Sequence, residues 1–92
     1  MHAVLVSATI EPGHGEEAQA QLENNIVPMV KQSPGAVSGH WMRSDDGQHG
    51  SSVVFFESEQ TARAAAEMVP NAPRPDFVKI DSVEVREVVA QF

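Results

Sequence analysis

Apolar residues in this chain recur every two positions, then every three to four, then every two again, and the cycle runs twice. That alternation restricts the fold to a sheet interrupted by two amphipathic helices, because strands and helices bring residues to a common face at those two spacings. Residues 3–10 (AVLVSATI) place Val4, Val6, Ala8 and Ile10 on one face and Leu5, Ser7 and Thr9 on the other. Over residues 15–32 the period lengthens: Ala18, Leu22, Ile26 and Val30 align with Met29 beside them, while Glu16, Glu17, Gln19, Gln21 and Glu23 cover the opposite side. The acids of the first turn and Lys31 near the end suit the helix dipole. Pro28 removes one backbone donor and crowds the Asn24 carbonyl, so a kink or break is expected there.

Residues 36–43 (AVSGHWMR) read as a second strand, with Val37, Gly39 and Trp41 on one face and Ala36, Ser38, His40 and Met42 on the other. A polar, glycine-bearing hairpin connection leads to a third strand over 51–56 (SSVVFF), apolar on both faces toward its end and therefore expected to be central. Ser58 is placed to cap a second helix, on which Ala62, Ala65, Ala66 and Val69 form a stripe small enough for close approach to a sheet. The proline-rich stretch 70–75 is expected to be an extended connector. In the last strand, 77–89, apolar parity slips between Val78/Ile80 and Val83/Val85. A β-bulge near Asp81 and Ser82, or a strand serving two partners, accounts for that slip.

The order β-α-β-β-α-β predicts one α+β domain over residues 1–92, a ferredoxin-like antiparallel sheet with both helices on one face. The other face is left without a helix. A chain of 92 residues buries only about 60–65% of its unfolded surface. With 41% apolar residues and no cysteine to staple it, it is expected to complete its core against a second copy of itself. Six Lys and Arg against 13 Asp and Glu give a net charge of −7. Such a balance supplies no positive stripe for nucleic acid and no attraction to anionic lipid. No apolar run approaches the ~20 residues needed to span a bilayer, and the first residues lack the pattern of a secretory signal. The expected address is the cytosol. No metal is expected: there is no thiolate, and His2, His14 and His49 follow no ligand spacing.

The βαββαβ order, the acidic first helix, Pro34-Gly35 entering the second strand and the junction VVFFESEQTARAAAE over 53–67 resemble the dimeric α+β barrel superfamily, and within it the antibiotic biosynthesis monooxygenase-type domains. The resemblance covers essentially the whole chain. It implies a homodimer enclosing a chamber between two sheets, and an activity of cofactor-independent monooxygenation on a small aromatic or quinol-like molecule. In that chemistry the substrate's own anion reacts with oxygen. Strand parity then nominates Leu5, Ser7, Thr9, Ser38, Met42, Ser52, Val54 and Phe56 as cavity lining. His40 is nominated as general base, since histidine exchanges its proton near neutral pH, with Ser7 and Ser38 as orienters. The competing expectation is a non-catalytic binding or structural barrel whose sheet face serves dimerisation. The haem-degrading branch of the superfamily carries an asparagine on the first strand, a tryptophan ending the third and a histidine on the second helix. Ser7, Phe56 and a histidine-free stretch over 62–69 stand there instead, so haem degradation is not expected.

Overall fold

Side-chain alternation in the first strand decides which face of the sheet is covered. The computed structural model describes residues Met1–Phe92, with strands β1 (His2–Ile10), β2 (Ala36–Arg43), β3 (His49–Phe56) and β4 (Val78–Glu87). All neighbours are antiparallel, in the order β2-β3-β1-β4. Helix α1 (Gly15–Gln21) runs through a wide turn, Leu22–Ile26, into α2 (Val27–Lys31), and α3 (Glu59–Met68) ends in a 3-10 turn over Val69–Asn71. The predicted ferredoxin-like α+β arrangement is therefore observed.

Val4 pairs with Val54 and Val85, and Val6 with Ser52 and Val83. This β1 face packs under the alanine stripe of α3: Ala62 is fully buried, and Ala65 and Ala66 lie against Val4, Val54 and Phe56. Ser58 caps α3 as expected, its hydroxyl accepting the Thr61 amide at 3.2 Å. The small side chains let α3 sit close over β1, β3 and β4, while α2 covers β2.

Three local features refine the sequence expectation. The β-bulge in the last strand is present: Ser7 pairs with Ser82 and Ala8 with Ile80, so Asp81 is the extra residue. The bulge keeps Val78, Ile80, Val83 and Val85 on one face despite their slipped spacing, and Asp81 accepts a 2.6 Å hydrogen bond from the Thr9 hydroxyl. Pro28 does not break the first helix. The Val27 amide instead bonds the Leu22 carbonyl, five residues back. Such a π turn widens the helix just where the ring would crowd the Asn24 carbonyl, and Pro28 then opens the second α segment, where a missing donor costs little. A second bulge leaves Val37 without a partner between Ala36/Phe56 and Ser38/Phe55, so Val37 is 52% exposed rather than on the core face.

Gly35 joins β2 to α3. Its φ of +77° is one that a side chain resists, and a Cβ there would stand 2.7–2.9 Å from Thr61 side-chain atoms. Its carbonyl accepts the Glu57 amide at 2.9 Å. The start of β2 is thus pinned to the start of α3.

Candidate functional site

Helix α2 stands off the edge of the sheet, and the gap beneath it is a partly open, mainly apolar cleft. Val27, Val30 and Lys31 of α2 face Ala36, Gly39 and Trp41 of β2 and Val54 of β3 across a cleft of about 200 Å³, with Val37 and Ser38 at its edge. Val30, Ala36 and Trp41 also pack against the core cluster, so the cleft borders the core, while Lys31, Val37 and Ser38 open it to the surface.

The floor depends on one glycine. Gly39 and Trp41 are two residues apart on a strand and share a face. A Cβ on Gly39 would lie 2.9 Å from Cη2 and Cζ3 of Trp41 and 3.3 Å from Cγ2 of Val54. Absence of a side chain at 39 therefore lets the indole lie back along the strand and form one wall. Trp41 is half-buried, and its indole N–H donates to no group in the chain.

The lining residues that carry a polar side-chain group are Lys31, Ser38 and Trp41. No carboxylate lines the cleft. The carboxylates whose pKa is displaced lie elsewhere. In the hairpin, the Ser44 hydroxyl and then the Gln48 amide hold Asp46 below the ordinary carboxylate range. At the start of α3, the Arg63 hydrogen bond and charge hold Glu59 low.

The nominated residues divide between the two faces. Leu5, Ser7, Thr9, His40 and Met42 lie on the face opposite the helices, where Leu5 pairs with Val53, Ser7 with Ser51, and His40 with Val53. Ser38 shares that parity but sits at the β2 edge, where it also touches the cleft. Ser52, Val54 and Phe56 are a correction. They pair with Val6, Val4 and His2 and belong to the helix-covered face, with Val54 and Phe56 7% and 1% exposed. Residues 53–56 are apolar at every position, so alternation alone could not orient β3. The open-face residues of that strand are Ser51, Val53 and Phe55.

His40 is exposed, hydrogen-bonds to nothing, and points away from Trp41, its neighbour in sequence. A second, shallow polar depression at one end of the open face is bordered by Ser7, Met42, Ser51, His49 and Asp81. Sequence reasoning missed Val27, Val30, Lys31 and Gly39 as site residues. The same-face pair Gly39 and Trp41 was the available signal.

The sequence pattern of the antibiotic biosynthesis monooxygenase family matches residues 1–68. No curated protein sequence matches the chain at a significant level. Among solved structures, the chain is similar to the haem-degrader MhuD from Mycobacterium tuberculosis, a protein with two haems bound in its active site. Identity is 19%, coverage 100% of this chain and 99% of that one, and the TM-score 0.77. A dimeric ferredoxin-like protein from an uncultured marine organism shares 13% identity over 100% and 98% of the two chains, with a TM-score of 0.67. A monooxygenase from Streptomyces coelicolor, in complex with nanaomycin D, shares 16% identity over 98% and 90%, with a TM-score of 0.60. At these identities what is shared is the fold. A haem-degrader among them leaves haem a ligand to be tested, despite the departures at Ser7, Phe56 and 62–69.

Proposed function

Because the chain belongs to the antibiotic biosynthesis monooxygenase family, we propose that it binds a small aromatic molecule in the cleft between α2 and β2 and oxygenates it without a cofactor. The observation that carries this reading is the mainly apolar cleft of which half-buried Trp41 forms one wall. An apolar cavity of about 150 Å³ accommodates benzene, so 200 Å³ suits a planar molecule of one or two rings.

The chemistry asks little of the protein. A ring CH2 activated by a neighbouring carbonyl gives up a proton to solvent water at the open side of the cleft, its carbanion reduces oxygen, and the CH2 becomes C=O while the second oxygen atom, with two protons, leaves as water. Carbon gives up four electrons and oxygen takes four. The chain supplies a dry apolar wall, orientation by the indole, and a positive charge at the mouth where the substrate anion forms. Oxygen consumption with one- and two-ring quinols and ring ketones, without flavin or metal, tests the reading. Turnover in the wild type, lost in Val30→Trp with the cleft filled, supports it. Uptake unchanged by Val30→Trp overturns it.

A second reading is favoured by the open face. Leu5 and Met42 are 37% and 51% exposed beside half-buried Val53 and Phe55, and only 7 of 92 residues are buried. Two copies joined through this face form a chamber holding His40, Ser7 and Ser38, with His40 as the base. One of the structures sharing the fold is a dimer. In that case His40→Ala abolishes turnover and Val30→Trp does not.

A further inference from the structure

The charges around the cleft carry more information than its shape. Of the six cationic side chains, Arg63 pairs with Glu59 and Arg86 with Glu84. Arg43 donates to the Gly15 carbonyl and the Gln19 amide oxygen, and Arg74 to the Pro70 carbonyl. Lys31 and Lys79 have no such partner. Lys79 lies on the open face, paired with Thr9 in the sheet. Lys31 lines the cleft. No acidic residue is among those lining the cleft, and the one ionisable residue there, exposed Lys31, has no ion-pair partner.

We propose that the cleft selects an aromatic monocarboxylate of one or two rings, with Lys31 as the specificity-determining residue. The ring lies against Trp41, Val27 and Val30, and the carboxylate meets the Lys31 ammonium, with the indole N–H and the Ser38 hydroxyl as neutral donors. One cation and two neutral donors match a single negative charge. A phosphate dianion calls for more positive charge than the lining holds. Lys31 is exposed, so its attraction for the carboxylate is screened by salt and the preference should shrink as ionic strength rises. The inference rests on the cleft being the ligand site.

The test compares 2-naphthoate with its neutral isostere 2-naphthamide by calorimetry. The emission of Trp41, the chain's single tryptophan, reports where they bind. Wild type is expected to prefer the carboxylate by about tenfold, the strength of one charge-assisted hydrogen bond. Lys31→Gln should erase that preference by weakening naphthoate about tenfold and naphthamide less, and Lys31→Arg should retain most of it. Lys31 is exposed, so these variants are expected to fold. Equal affinity of both compounds for the wild type, with Trp41 emission responding, overturns the anion selectivity and leaves the cleft standing. A preference that survives Lys31→Gln overturns the role of Lys31. Binding of neither compound, or binding without any Trp41 response, overturns the cleft reading itself.

Discussion

The two faces of the sheet are built from the same four strands and differ in what completes them. On the helix-covered face, Phe56 and Ala62 are 1% and 0% exposed, and the packing closes within one chain. On the open face, Phe55, next in the same strand, is only half-buried, and Met42 is 51% exposed. The first face thus holds the core of the chain, and the cleft lies at its edge. The second face has no helix over it. Alternation of side chains places both within a single residue step.

The largest effect expected from that contrast is at its centre. Phe56→Ala should cost about 3–5 kcal/mol, because a ring enclosed on all sides leaves a cavity, and urea unfolding should show the midpoint collapse. Phe55→Ala should cost about 1–2 kcal/mol as a loss of partial burial, and its clearer signature should be weaker self-association in ultracentrifugation. Equal losses from the two would erase the distinction between the faces.

Gly35→Ala comes next. A side chain there meets both the positive φ and the Thr61 side chain 2.7–2.9 Å away. The expected cost is about 2–4 kcal/mol, read as a lowered thermal midpoint. Gly39→Ala is a smaller perturbation that sharpens the comparison. It should cost about 1–3 kcal/mol, shift Trp41 emission as the indole is displaced, and abolish aromatic binding. His40→Ala, one residue away on the other face, should change stability by less than about 0.5 kcal/mol and leave Trp41 emission unmoved.

The smallest effect belongs to the hairpin. Asp46 has its pKa lowered by the Ser44 hydroxyl and the Gln48 amide. Its contribution is therefore fully present above the ordinary carboxylate pKa and lost as pH falls through the lower, folded value. The Gln48 amide resonance should titrate in that acid window, and Asp46→Asn should flatten it.

Much of the fold is legible in residue spacing. Val4, Val6, Ala8 and Ile10 orient β1 without ambiguity, the Ser58 cap and alanine stripe define α3, and the slip between Ile80 and Val83 reveals the bulge at Asp81. Orientation of β3 is not legible, since Val53, Val54, Phe55 and Phe56 suit either face and only pairing with β1 decides. The cleft is less legible still. It arises from the stand-off between α2 and β2 after a π turn around Pro28, and from an indole lying over a glycine. The first is a distance between elements, which periodicity does not encode; the second is visible in the sequence only as a same-face pair within β2. Lys31 reads in the sequence as a helix-terminal charge, and only its place beside an apolar gap gives it a second meaning.

Amide chemical-shift mapping with 2-naphthoate separates the two faces in one experiment. Shifts are expected at Val27, Val30, Gly39 and the Trp41 indole, with Leu5, His40, Ser51 and Val53 unmoved. Shifts centred on Leu5, His40 and Val53, with Gly39 and the Trp41 indole unmoved, would contradict that expectation and move the binding site to the open face.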